Sequence, residues 1–293
     1  MAFYSPLRYP GGKGALMPFL SMVIKANNLH GGVYAEPYAG GAGAALGLLY
    51  GKHVNSILIN DADYCVYSFW QSILHNTSRF LRILKETPIT IKEWEKQREI
   101  YRTPKRHTMI RIGFACFYLN RCNRSGILLK AGPIGGKDQA GKWKINARFN
   151  KKTLRDRIGK IAFYRDRIRV SNMDAIDFIR NIVAESGEAQ RTLVYLDPPY
   201  YVQGAELYLN HYKHEDHVQL ARYMRQQHPF KWIMSYDNVK EISALYFNMN
   251  RIRFKISYSA NTTKNGSELL IYDNYLQVPL PSGILHKARR IAV

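Results

Sequence analysis

Short apolar runs closed by polar residues recur along the chain: Val33–Ala35, Ser56–Ile59, Arg167–Val170, Leu193–Leu196 and Trp232–Ser235. Each is the length of a buried strand and too short for a helix. Ala44–Tyr50 and several stretches between the runs carry helical spacing. Strands alternating with helices predict an α/β fold with a doubly wound, mostly parallel sheet. Two further runs, Phe254–Tyr258 and Leu269–Tyr272, flank "SANTTKNGSE", which is rich in turn formers. They predict an antiparallel hairpin at one edge of the sheet. The tail after Pro279 reads as a loosely held terminus.

The middle of the chain departs from this pattern. Helical periodicity covers much of Ile73–Asn120, and the following "NRSGILLKAGPIGGKDQAGKWKINARFNKK" is rich in Gly, Lys and Arg. It predicts a mainly helical insert, residues 75–160, that ends in a basic hairpin or loop. The flanking segments 1–74 and 161–293 would then form one domain. Trp143, in the basic stretch, is expected in the core.

Charge sharpens that division. The net charge is +21, and residues 75–170 hold 25 Lys and Arg against 7 Asp and Glu. The rest of the chain holds 18 against 15. An excess so concentrated points to a polyanion, nucleic acid ahead of a membrane. No apolar stretch is long enough to span a bilayer, and "MAFYSPLRYPGGKG" lacks the apolar region of a signal peptide. Cys65, Cys116 and Cys122 are too few for a disulfide framework and lack metal-site spacing. Buried thiols in a cytoplasmic protein without a bound metal are expected.

Two stretches carry candidate chemistry. In "EPYAGGAGAALGLL", Gly40, Gly41 and Gly43 follow a strand and open a helix. Glycines there allow a tight turn and close backbone approach to a ligand. Asp61 ends the next strand about 20 residues on, where an acid can accept ribose hydroxyls; Asp63 is its rival. "GGKG" at Gly11–Gly14 lacks the pattern of a phosphate loop. In "LVYLDPPYY", Asp197 closes a strand, the end at which open α/β sheets bind ligands. Pro198 and Pro199 fix the backbone around it. Asp197 and the Pro198 carbonyl could together accept the two hydrogens of an exocyclic amino group, and Tyr200 offers a flat face to a base.

"DPPY", "EPYAGGAG" and "RYPGGKG" together resemble the Dam-like, S-adenosylmethionine-dependent N6-adenine DNA methyltransferases of the α order, which have a Rossmann-like methyltransferase fold. Cofactor motif, recognition insert and catalytic motif follow in that order over most of the chain. "YLNRCNRSGIL" (Tyr118–Leu128) is similar to the family's insert, with Ser125-Gly126 where Asn-Gly is usual. The resemblance implies that Tyr9 and Lys13 line the cofactor's methionine end. It assigns Glu36, Pro37, Tyr38, Gly40 and Gly43 to the glycine turn and Asp61 to the ribose. It sets Asp174 and Ala175 beside the cofactor's adenine. Asp197, Pro198, Pro199 and Tyr200 become the catalytic motif, with Asp197 also bordering the cofactor. The target adenine would leave double-stranded DNA to reach them.

Phosphate-contact candidates in the insert are Arg121, Arg124, Lys130, Lys137, Lys142, Lys144, Arg148, Lys151 and Lys152. Arg148 could equally be a structural ion-pair partner. An RNA N6-adenine methyltransferase and a non-catalytic DNA-binding protein that keeps the fold are the alternatives. "LNR" argues against the first and the intact "DPPY" against the second.

Overall fold

The computed structural model describes residues 4–8, 13–202, 212–255, 267–280 and 286–291. Its centre is an eight-stranded sheet: β1 (Val33–Glu36), β2 (Ser56–Asn60), β3 (Ile168–Ser171), β4 (Thr192–Leu196), β5 (Lys231–Asp237), β6 (Asn250–Lys255), β7 (Ser267–Tyr272) and β8 (His286–Ile291). The spatial order is β3-β2-β1-β4-β5-β7-β6-β8. β1 to β5 run parallel, whereas β7 is antiparallel to β5. β1 and β4 are buried at every position. Helices cover both faces of the sheet there, so continuous apolar runs replace alternation.

Helices follow the expected segments: α1 (Met17–Ala26), α2 (Gly43–Tyr50), α3 (Tyr64–His75), α4 (Thr77–Glu86), α5 (Ile91–Arg102), α6 (Met109–Cys122), α7 (Lys151–Phe163), α8 (Ala175–Phe178), α9 (His214–Met224) and α10 (Lys240–Leu245). A π-helical turn, Ile179–Ala184, continues α8. One apolar cluster joins the first sheet face to α1, α2, α3 and the helices of segment 75–160, through Phe69 of α3 and Trp94, Phe114 and Phe117 beyond it. A second joins the other face to α8, α9 and α10 through Phe178, Leu220, Met224 and Ile242. The insert therefore packs on the same core as the sheet. α6 lies close on α3 because Gly113 has no side chain: a Cβ there would stand 2.4 Å from the Ser68 carbonyl oxygen.

The hairpin of β6 and β7 forms, with Phe254 opposite Glu268, although residues 256–266 between its strands lie outside the described ones. It is not the edge of the sheet. The tail departs from its loosely held reading: residues 286–291 add β8 against β6. An unpaired β6 would leave a row of backbone donors and acceptors, and β8 fills it. All three cysteines are buried and unpaired. No helix among the described residues is long and apolar enough to cross a membrane.

Candidate active site

The chain leaves β1 toward β2 and β3, then returns to the other side of β1 to lay down β4 and β5. The carboxyl ends of β1 and β4 thus form the switch point at which open α/β sheets bind ligands. The register pairs Ala35 with Val194. The glycine turn after β1 and the Asp197 turn after β4 are therefore neighbours.

Asp197 is held from two sides. Ser235 of β5 donates from its Oγ to Asp197 Oδ1 at 2.9 Å, and Tyr195 Oη lies 2.7 Å from that same Oγ. Lys13 Nζ stands 3.4 Å from Asp197 Oδ1. The turn beyond is tied to the end of β5, where the Tyr201 and Val202 amides donate to the two carboxylate oxygens of Asp237 at 3.0 and 3.1 Å. Pro198 is buried and Pro199 half-buried. Burial raises the carboxyl pKa of Asp197, and the Lys13 ammonium and Ser235 hydroxyl act against that rise.

Tyr200 is anchored at its hydroxyl. Lys13 Nζ donates to it at 2.7 Å, and it donates to Glu268 Oε1 at 2.7 Å. Lys13 Nζ also reaches Glu268 Oε2 at 3.5 Å. Burial alone would depress the Lys13 ammonium; Asp197, then Tyr195 and Glu268, reverse this and hold it above its ordinary value. Lys13, assigned by resemblance to the cofactor's methionine end, is here the partner of Asp197. Tyr9 lies outside the described residues.

The glycine turn is built around acids and amides. Gly40 has φ of 46°, a left-handed conformation that suits glycine. Its amide donates to Asp61 Oδ2 at 3.0 Å, and the Asp63 amide donates to Asp61 Oδ1 at 2.9 Å. Burial, and then Asp63, push the Asp61 carboxyl up to about 7. Asp63 is committed elsewhere: it caps α3 through the Cys65 amide and accepts the Tyr101 hydroxyl at 2.9 Å. Of the two rivals, Asp61 is the one on the glycine turn. Asn60 links three loops, donating to the Pro37 and Met173 carbonyls and accepting the Met173 amide, each at 3.0 Å. Tyr38 Oη meets Tyr212 Oη at 2.7 Å. Asp174 caps α8 through the Ile176 and Asp177 amides and is exposed, while Ala175 is buried.

Glu36 accepts the Ala45 amide of α2 at 3.1 Å, and burial pushes its carboxyl up to about 8. A folded-state value above the unfolded one means that the folded chain keeps this proton while the unfolded chain releases it. Stability therefore falls as pH rises from about 4.5 toward 8, and levels off above. Glu36→Gln, which mimics the protonated acid, is expected to lack that slope. Without cofactor, wild type should lose a few kcal/mol relative to the variant, roughly, between pH 5 and pH 8. Denaturant melts at both pH values check this, and parallel profiles would mean that Glu36 is ionised in the fold.

The insert sorts the basic candidates. Arg121 is a correction: it is buried, with Nε donating to the Arg148 carbonyl at 2.7 Å and Nη2 to the same oxygen. Burial, and then Arg8 and Arg157, bring its guanidinium down to about 9. It braces the loop from inside and does not face a phosphate. Lys151 lies at the start of α7 and donates to the Lys85 and Thr87 carbonyls, both at 2.8 Å, at the end of α4. Arg124, Lys130, Lys137, Lys142, Lys144, Arg148 and Lys152 are exposed. Trp143, expected in the core, is 65% exposed, between Lys142 and Lys144. The buried Ile145 and Phe149 anchor that stretch instead. Asn120 holds the loop base to the N-terminal segment, donating to the Arg8 and Gly126 carbonyls at 2.7 and 3.0 Å.

Ser235, Asp237, Asn60 and Glu268 were not singled out from the sequence. Ser235 closes an apolar run and Glu268 opens one, as Asp197 does, and that placement was the available signal. Among the described residues, no three His, Cys, Asp or Glu side chains gather to hold a metal ion. Residues 9–261 match the D12 class N6 adenine-specific DNA methyltransferase family. No curated protein matches the chain.

Proposed function

The chain belongs to the D12 class of N6 adenine-specific DNA methyltransferases, and from that premise we propose that it takes its methyl group from S-adenosylmethionine and delivers it to an adenine flipped out of duplex DNA. The observation that carries this reading is the pairing of the two turns at the switch point. The Glu36–Gly43 turn follows β1, and Asp197 follows β4, aimed by Ser235 and Lys13.

The residues of the first turn fit the cofactor. Each Asp61 oxygen accepts one backbone amide and keeps a second lone pair for a ribose hydroxyl. Glu36 takes the Ala45 amide, but Ala42 at the start of α2 offers no side-chain cap, so the Gly43 and Ala44 amides face a ligand beside the turn without a capping side chain. Asp174 and Ala175, at the end of β3, would border the adenine ring. When bound, the cofactor supplies a methyl group on a positively charged sulfur.

The chain's own contribution is geometry. Adenine N6 is a poor nucleophile because its lone pair is delocalised into the ring. Asp197 and the Pro198 carbonyl would each accept one N6 hydrogen and draw the nitrogen toward tetrahedral geometry. Fixing both reactants this way can supply on the order of 7–11 kcal/mol. Acceptors already in place stabilise the positive charge that grows on nitrogen. The flipped base would lie against Tyr200. Arg124, Lys130, Lys137, Lys142, Lys144, Arg148 and Lys152 would contact phosphates and make affinity depend on salt.

Incubation with isotopically labelled S-adenosylmethionine and either duplex DNA or RNA tests the proposal. Label recovered as N6-methyladenine in DNA is expected; transfer to RNA alone, or none to either, would refute it. Asp61→Ala is expected to weaken cofactor binding about tenfold or more, because charged hydrogen bonds are worth roughly 1.5–3 kcal/mol. Calorimetry that finds unchanged affinity in a folded variant removes Asp61 from the ribose.

A further inference from the structure

The buried Arg121 stands among other arginines. Its guanidinium holds the Arg148 carbonyl. Arg157 of α7 donates from Nη1 to the Ser5 carbonyl at 3.0 Å. Asn120 clasps the backbone of Arg8, accepting its amide at 2.6 Å and donating to its carbonyl at 2.7 Å. Segment 5–8, the end of α6, the loop at Arg148 and the middle of α7 thus converge, and each brings an arginine. Burial lowers the Arg121 guanidinium first, and Arg8, Arg157 and Arg148 all push it the same way. Among the described residues, none of the four meets a carboxylate. Arg8 Nη1 is buried and has no hydrogen-bond partner among them either. Like charges without a counter-charge, and a buried donor without an acceptor, both cost stability. Together they outline the place of a missing anion.

That place is near the catalytic turn. Arg8 and Lys13 are five residues apart in the chain, and Lys13 reaches Asp197. Their Cα atoms are therefore at most about 18 Å apart, about five nucleotide steps along one strand. Arg148 is exposed and Arg8 and Arg157 are half-buried, so all three are open to a ligand. Guanidinium forks match the oxygens of a phosphate.

We propose that Arg8, Arg148 and Arg157, backed by Arg121, form a preformed site for one backbone phosphate of the DNA beside the flipped adenine. This rests on the proposed DNA substrate. A phosphate held here sets the register of the strand against the catalytic turn and carries no sequence information. It also supplies the counter-charge that the four arginines lack in the chain itself.

The test measures binding without turnover. Duplex DNA is titrated at several salt concentrations with wild type, R8Q, R148Q and the paired variant R8Q/R148Q. Each single variant should lower the slope of log affinity against log salt, and the pair should lower it by up to roughly 0.9, the value of one phosphate. Duplexes in which single phosphates are replaced by neutral methylphosphonates locate the contact. One position should weaken wild-type binding about tenfold or more and leave the paired variant unaffected. The free protein gives a second readout. R8Q removes a like charge and an unmet donor, so its melting temperature should stay level or rise. A lower melting temperature would make Arg8 a structural brace and overturn the site. So would an unchanged slope in the pair, a loss worth two phosphates, or the same methylphosphonate pattern in the pair as in wild type. Wild-type protein that binds no duplex DNA would instead remove the DNA reading, and this inference with it.

Discussion

Asp197→Ala is expected to abolish measurable methyl transfer while cofactor and DNA binding stay largely intact. The carboxylate acts on the amine only as the bond forms, and loss of one preorganised partner of that kind costs about 10²–10³ in turnover. Here the loss should lie at or beyond the upper end. Removing the carboxylate also takes away the acceptor of the Ser235 hydroxyl and one of the two acids facing Lys13. The ammonium would remain close to the amine with the Asp197 charge no longer opposing it. Asp197→Asn separates these effects, since the amide oxygen can still accept Ser235 but brings no charge. It should recover some turnover over Ala and remain well below wild type. Single-turnover rates on duplex DNA, with separate binding titrations, check both variants. Asp197→Ala turnover within about tenfold of wild type would rule out the catalytic assignment.

The sheet was legible because its inner strands are buried on both faces. Val33–Glu36 and Thr192–Leu196 are continuous apolar runs with an acid at or just beyond the end, a pattern that survives without any tertiary information. The two turns to which the chemistry is assigned stand out in the sequence for the same reason: acids, prolines and glycines follow each run directly. β8 was not, since its residues, His286–Ile291, are mostly basic and polar and gain their order from pairing with β6. Arg121 and Trp143 show the limit more sharply. Arg121 ends α6 and Trp143 lies in the basic, glycine-rich stretch that follows, and composition there does not say which side chains turn inward. The arginine is buried against a carbonyl and the tryptophan is exposed, the reverse of what their polarity suggests. Lys13 makes contacts with Asp197 and Glu268 that could not be read from the sequence. Its contact with Asp197 spans most of the chain, and only the closing of the sheet brings Lys13, Asp197 and Glu268 together.

That closure changes what substitutions at Tyr200 should reveal. The ring was assigned the flipped base, but the hydroxyl also bridges Lys13 and Glu268. Tyr200→Phe removes the bridge and keeps the ring. It leaves Lys13 and Glu268 each with one hydrogen bond fewer, at a cost of roughly 1–3 kcal/mol for each group, so melting temperature and turnover should both fall. A fluorescent adenine analogue at the target position should still respond to binding as it does with wild type. Tyr200→Ala removes the ring as well, and stacking worth roughly 1–3 kcal/mol per base goes with it. Turnover should fall further, and the analogue's fluorescence should change because an unstacked base is quenched less. The two variants thus divide the residue into a hydroxyl that orders Lys13 and a face that holds the base. Equal analogue signals in wild type, Tyr200→Phe and Tyr200→Ala would remove the stacking role. They would leave the hydroxyl bridge as the reason that a tyrosine stands here, since the bridge acts on Lys13 and, through it, on Asp197.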